Sequence, residues 1–301
     1  LAFTGFWVTT VGLAYASYRF IETPIRQKAW LATPRALLLA VLLGFALLMG
    51  WAVHLVASDG AAYRFDAKPR AFLTARIQSY TKRCEVFARL SDWRSPLCPH
   101  RDVASDQRKV LLWGNSHASM LIPMLQELSA QHKTSLLVNT KNNRSLVELD
   151  GSNRAVHEQT LAKVEDATLT DVVLASSWQG LTNPALEKGL TRTVAHLVKH
   201  GKRVWLVVDT PGGDALDPLV AYAQNPRDPE VGSISWESYN QGSRLAELAV
   251  FQGLVAQFKG VHIIDASGVF CDASRCWGGR GSEVWYRDST HLNNAGARAL
   301  A

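Results

Sequence analysis

The stretch KVLLWGNSHASMLIPML, residues 109–125, decides how the rest of the chain is read. Its first half, KVLLW, carries a short uninterrupted apolar run, the pattern of a strand buried on both faces. The run stops at Gly114-Asn115-Ser116-His117, and a pattern of helical period follows at once, predicting a helix over 117–131. Ser116 therefore sits just beyond the carboxyl end of a strand and at the start of a helix. In open α/β sheets that is where ligands bind. Gly114 lets the backbone turn sharply. The first amides of the helix have no intrahelical partner and can hold a developing oxyanion. Taken alone, the stretch reads first as a helix N-cap, because Asn and Ser are both favoured there.

The same texture continues outward. Short apolar runs occur at KVLLW (109–113), SLLVN (135–139), DVVLAS (171–176), RVWLVVD (203–209) and VHIIDA (261–266). Segments of helical period lie between them, at about 117–131, 153–166, 184–200 and 236–258. The last carries Leu245, Leu248, Gln252, Val255 and Phe258 at steps of three and four. Alternating strands and helices predict a three-layer α/β/α domain with a parallel sheet over 108–301. Residues 58–107, with Pro69, Pro96 and Pro99, read as a linker that becomes an ordered lead-in.

Upstream the composition changes. Residues 36–57, ALLLAVLLGFALLMGWAVHLVA, hold one ionisable group, His54, near their end. A run of that length predicts a bilayer-spanning helix with His54 at the interface. Residues 1–18 are uncharged and read as the tail of another span. The loop 19–35 between them carries Arg19, Arg26, Lys28 and Arg35, which keeps it cytoplasmic. Everything after about residue 58 is then expected outside the inner membrane. The apolar run is too long for a cleaved signal peptide. The chain opens on Leu1 and stops at Ala301 inside a helical start, so it is expected to be a piece of a longer protein.

The bulk numbers agree with an envelope location. A net charge of +6 over 301 residues fits an anionic surface or polymer as neighbour. It gives no support to nucleic-acid binding, since no basic block interleaved with aromatics occurs. The four cysteines, Cys84, Cys98, Cys271 and Cys276, all fall in the outer part. They lack paired Cys-x-x-Cys spacing, so no metal site is expected. Two local disulfides, Cys84–Cys98 and Cys271–Cys276, would suit an oxidising compartment, and four unrelated buried thiols are the alternative.

A second patch adds chemistry to Ser116. WYRDSTHLNNAG, residues 285–296, holds Asp288 and His291 three apart, on one side of a turn. Asp288 can fix the tautomer of His291. The other ring nitrogen is then free to take the proton of Ser116, giving a Ser-His-Asp arrangement.

These patches carry a resemblance. The outer domain resembles the SGNH (GDSL-like) hydrolases, whose first block holds Gly-Asp-Ser and whose last holds Asp-x-x-His. YRFIETPIR, residues 18–26, is similar to the closing signature of acyltransferase family 3 membrane proteins. The combination resembles fused O-acetyltransferases that decorate bacterial surface polysaccharides such as lipopolysaccharide. The resemblance implies a multi-pass inner-membrane protein with its SGNH domain in the periplasm. It implies an acyl donor such as acetyl-CoA used by the membrane region, no cofactor bound in the SGNH domain, and a surface polysaccharide or lipid-linked glycan as acceptor. An esterase with the same triad and an inactive glycan-binding module remain alternatives. The chain departs from the pattern at Asn115, where the resemblance leads one to expect Asp. The usual Gly and Asn of the oxyanion hole are not plain either. Asn142 or Asn143 in NNRSL and Ser177 or Trp178 in ASSWQG stand at the corresponding places, beside Gly114, Asn115 and the Ser116 amide.

Other residues have plainer readings. Asp209, before TPGGD, reads as a solvated acid on a Gly-Gly turn. GGRGS (278–282) lacks the Lys-Ser/Thr ending of a phosphate loop and reads as a flexible loop near the site. Trp113, Trp178, Trp236, Trp277 and Trp285 read as packing residues by default, with Trp277 and Trp285 the best candidates for stacking on a sugar.

Overall fold

The computed structural model describes residues 2–78, 98–101, 108–140, 160–162 and 164–301. It divides into two compact units, Leu1–Arg64 and Phe65–Ala301.

The first unit contains helix α1, Ala2–Ser17, and helix α2, Pro34–Ala57. Thr33 caps α2 by accepting the Ala36 amide at 3.2 Å, and Pro34 enters with its φ already helical. The 24 residues of α2 contain no buried position, and Leu47 is 75% exposed. At about 1.5 Å per residue α2 exceeds the ~30 Å hydrocarbon core of a bilayer. Among the described residues it is the one helix long and apolar enough to cross a membrane. Helix α1 continues without a break into a π-helical turn, Tyr18–Glu22, and a further helical turn, Thr23–Arg26.

The second unit is built on a six-stranded sheet: β1 (Cys98–Arg101), β2 (Lys109–Gly114), β3 (Ser135–Asn139), β4 (Leu169–Ala175), β5 (Arg203–Val207) and β6 (Val261–Ile264). The order is β1-β3-β2-β4-β5-β6. All neighbours are parallel except β1, which runs antiparallel to β3. Alternate side chains of each strand supply two different cores. Leu111, Val172, Leu174, Val204 and Leu206 pack with Leu190, Val194 and Leu197 of α6 (Pro184–Lys199) and with Phe251 and Leu254. Leu112, Leu136, Val138 and Val173 pack on the opposite face with Leu121, Ile122, Leu125, Tyr286 and Leu292. Each fully buried Leu contributes roughly 1.5–3 kcal/mol. The chain leaves β2 for β3 on one side and returns to β4 on the other. The ends of β2 and β4 therefore form the crevice where such sheets bind ligands.

Several expectations change. Helix α3, Ala67–Ala75, lies in the stretch read as linker, and its Phe72 packs with Ala221 and Val284. Edge strand β1 comes from the same stretch. The helix expected over 117–131 is two helices, α4 (Ser116–Ser119) and α5 (Ile122–Gln131). Pro123 lies in the first turn of α5, where its missing amide costs nothing. Of the helix expected at 153–166, residues 160–162 are helical and 164–165 form a turn, while 153–159 and 163 lie outside the described residues. Helix α7, Leu245–Gln257, buries Glu247, Phe251 and Leu254; of the spaced residues Leu248 and Phe258 pack against the same core, whereas Leu245 and Val255 are exposed. GGRGS is not a loose loop: Gly279–Arg280 pairs with Glu283–Val284 as a tight antiparallel ribbon. Cys271 and Cys276 form a disulfide. The pairing Cys84–Cys98 lies outside the described residues.

Candidate active site

The site starts where β2 ends. A Cβ on Gly114 would lie 1.6 Å from the Ala175 carbonyl oxygen of β4. Glycine is required there by the close approach of the two strands, not by an unusual turn. Asn115 then caps α4. Its Oδ1 accepts the His117 amide at 2.9 Å and the Ser177 amide at 3.2 Å. One neutral side chain thus ties the nucleophile turn to the end of β4, with Asn115 7% exposed. Ser116 opens the helix, so its own amide has no intrahelical acceptor.

The other half comes from the loop before the last short helix, Asn294–Arg298. Tyr286 pairs with Leu292 across this loop, and the Tyr286 hydroxyl donates to the Pro211 carbonyl at 2.8 Å. Asn293 Nδ2 donates to the Val284 carbonyl at 2.8 Å. Within this clamp Asp288 Oδ1 accepts the amides of Thr290 at 3.0 Å and His291 at 2.8 Å. The His291 ring turns back so that Nδ1 lies 2.9 Å from Asp288 Oδ1 and 3.1 Å from Oδ2. Nε2 of His291 lies 2.9 Å from Ser116 Oγ. Hydroxyl, imidazole and carboxylate therefore form one continuous chain of hydrogen bonds. With Asp288 ionised, His291 carries its hydrogen on Nδ1 and offers Nε2 as acceptor to the serine. Burial pushes the Asp288 carboxyl up, but the hydrogen bonds from the His291 ring and from the Thr290 and His291 amides outweigh it. The result is a carboxyl held well below its usual range. Its contribution to stability is present above the ordinary carboxylate pKa and is lost as pH falls through the folded value.

A second histidine stands beside the first. His117 Nδ1 lies 2.7 Å from Asp209 Oδ1, and the His117 and His291 ring centroids are 4.7 Å apart. Asp209 is not the solvated acid the Gly-Gly turn suggested: its side chain is 14% exposed. Its amide donates to Glu247 Oε2 at 2.8 Å, and its carbonyl accepts from the Tyr239 hydroxyl at 2.7 Å. Glu247 is 3% exposed, and burial, aided by the charges of Asp209 and Asp265, raises its pKa to about 8. Neither His117 nor Glu247 stood out in the sequence. His117 follows the nucleophile directly, which was the available signal. Glu247 lay hidden in a helix apolar on most sides.

The remaining candidates separate. Ser177 is joined to the nucleophile turn, but through an amide that Asn115 already uses. Trp178 is a core residue, 3% exposed, whose indole donates to the Val207 carbonyl at 2.8 Å and meets Phe251 edge-on. Asn142 and Asn143 lie outside the described residues. Trp285 is 5% exposed and packs against Phe270, and it contributes to the wall of the groove that Trp277 also lines. Trp277 is 38% exposed on a groove of about 340 Å³ that Asp272 and Arg280 also line.

The family described as "SGNH domain (fused to AT3 domains)" matches residues 83–301, most of the chain. The chain belongs to that family. Among solved structures, the SGNH unit is similar to the one titled "Structure of Salmonella ser. Paratyphi A lipopolysaccharide acetyltransferase periplasmic domain". The TM-score is 0.50 at 16% identity, over 64% of this chain and 80% of that one. The likeness supports the SGNH-like α/β fold with its parallel central sheet. A protein from Slackia heliotrinireducens assigned to the SGNH hydrolases aligns with a TM-score of 0.42 at 15% identity, over 64% of this chain and 95% of that one. No curated protein matches the sequence.

Proposed function

We propose that this SGNH domain is an O-acyltransferase, most simply an O-acetyltransferase, acting on a glycan of the bacterial cell surface. The observation that carries the reading is the unbroken contact from Ser116 through His291 to Asp288. In the first half-reaction His291 Nε2 takes the Ser116 proton as Oγ attacks the acyl carbonyl. The tetrahedral oxyanion forms beside the Ser116 amide at the start of α4. His291 then protonates the leaving group, and an acyl-Ser116 ester remains. In the second half-reaction a sugar hydroxyl attacks that ester, giving its proton to His291. The C–O bond to Ser116 breaks, and His291 returns the proton to Oγ. Asp288 holds the ring and offsets its positive charge in both halves.

Membership of a family fused to AT3 domains favours transfer over hydrolysis. The apolar helix α2 anchors the chain in the inner membrane, with the loop bearing Arg19, Arg26, Lys28 and Arg35 in the cytoplasm and the SGNH domain in the periplasm. A multi-pass AT3 region takes the acyl group from a cytoplasmic donor such as acetyl-CoA and delivers it to Ser116. The test is acetyl transfer from a chromogenic ester, measured with and without a surface polysaccharide. The reading predicts faster turnover with polysaccharide and acetyl appearing on the sugar. Turnover indifferent to polysaccharide, with free acetate as the sole product, would make the protein an esterase instead.

A further inference from the structure

The second imidazole has no task in the two half-reactions above, yet it is held more elaborately than a packing residue needs. His117 sits one residue after the nucleophile, on the first turn of α4. Asp209 fixes its Nδ1. Asp209 is in turn pinned from three sides: its Oδ1 accepts the Thr210 amide at 2.9 Å, its own amide meets buried Glu247, and its carbonyl takes the Tyr239 hydroxyl. A neutral ring oriented this way carries its hydrogen on Nδ1 and leaves Nε2 as a bare acceptor. Nε2 has no protein partner among the described residues, and His117 keeps 8% of its surface exposed. A histidine that served only packing would have both nitrogens satisfied or buried against apolar atoms. His117 instead presents a fixed acceptor beside the ring that serves the reacting hydroxyl.

We infer that His117, held by Asp209, is a second acceptor-binding imidazole, whose Nε2 takes a hydrogen bond from the hydroxyl adjacent to the one His291 deprotonates. The site therefore selects vicinal diols, the arrangement that sugars offer and simple alcohols lack. The inference rests on the acyl-Ser116 reading and deepens it. Two imidazoles with ring centroids 4.7 Å apart can be bridged by hydroxyls on neighbouring carbons of one ring. A simple alcohol has a single hydroxyl hydrogen and cannot donate to both nitrogens. His117 thus supplies binding energy to a vicinal diol that a lone hydroxyl does not receive. A site that offers a hydrogen-bond partner to a substrate hydroxyl discriminates against an analogue lacking that hydroxyl.

The experiment uses the full chain in detergent, a chromogenic acetyl ester as donor, and two acceptors: the cis vicinal diol of cyclohexane and cyclohexanol. Acetyl transfer to each is read as kcat/KM. The wild-type chain is expected to favour the diol at least tenfold. His117→Ala should cut the diol value at least tenfold, chiefly through KM, and the cyclohexanol value no more than threefold. His117→Gln, which keeps a polar side chain at the position, guards against a folding defect, and its melting temperature should match the wild type. Asp209→Asn, which loosens the ring, should fall between. Equal losses on both acceptors, or a wild-type chain without diol preference, would overturn the inference while leaving acyl-Ser116 intact. Transfer that survives Ser116→Ala would overturn the acyl-serine reading itself.

Discussion

Two histidine–carboxylate pairs meet at the end of β2, and they differ in how they are held. Asp288 lies three residues from His291 in one tight turn, and both its oxygens face the ring. Asp209 lies far along the chain from His117, at the end of β5, and is anchored by Glu247 and Tyr239 from another part of the fold. The first pair is the more open: the Asp288 side chain is 36% exposed and the Asp209 side chain 14%. Similar chemistry is therefore built once from a local loop and once from tertiary packing. Only the first points at Ser116 Oγ. Contact with the nucleophile, more than the presence of a His–Asp pair, separates the proton shuttle from its neighbour.

The sharpest way to break this comparison is to neutralise each carboxylate in turn. Asp288→Asn should lower acylation of Ser116 by about 10²–10⁴-fold, since the imidazole loses the partner that fixes its tautomer and offsets its charge. Asp209→Asn should lower the same step far less. A chromogenic burst assay on both variants checks this, and equal losses would dissolve the distinction.

A smaller effect concerns the support behind the second pair. Glu247→Ala removes the acceptor of a buried amide and should cost about 1–3 kcal/mol of stability. Glu247→Gln keeps an acceptor and should be tolerated. The two differ in pH dependence as well. Glu247 is raised from 4.5 to about 8 by burial, so between those values the folded chain holds a proton that the unfolded chain has lost. Wild-type stability from this group therefore falls as pH rises from about 4.5 to about 8. Denaturant midpoints measured at both ends of that window should show a slope in the wild type that flattens in Glu247→Gln.

The smallest effect sharpens the link between the pairs. Asn115 caps α4 and ties it to Ser177. Asn115→Ala should cost about 1 kcal/mol, readable as a lower melting temperature. Asn115→Asp should keep the cap, because the contacts use only a side-chain oxygen.

How much of this was legible in the sequence follows from how local each feature is. The strands were readable because they are short apolar runs rich in Val, Leu and Ile, buried on both faces between longer helical periods. Ser116 and the Asp288–His291 spacing were visible because each lies within one loop. The edge strand Cys98–Arg101 was not, since its pairing depends on β3 and its residues, including Pro99, have little β character of their own. The spacing in helix α7 caught Leu248 and Phe258, which pack on the core, but not Phe251 and Leu254, because its apolar residues surround most of the axis. Leu245, Leu248 and Val255 fit the helical period as well as Phe251 and Leu254 do. A buried Glu247 runs against every hydrophobic pattern and becomes intelligible only with the Asp209 amide beside it. Trp178 looked available for ligands by type alone, and burial in the core removes it.

The most direct test of the account is to trap the covalent intermediate. The chain is mixed with a chromogenic acetyl ester without acceptor, quenched in acid, digested and read by peptide mass spectrometry. The account predicts one added acetyl group on the peptide holding Ser116, absent from Ser116→Ala and strongly reduced in His291→Ala. Turnover of the ester with no acetyl on Ser116, or with turnover unchanged in Ser116→Ala, would contradict it.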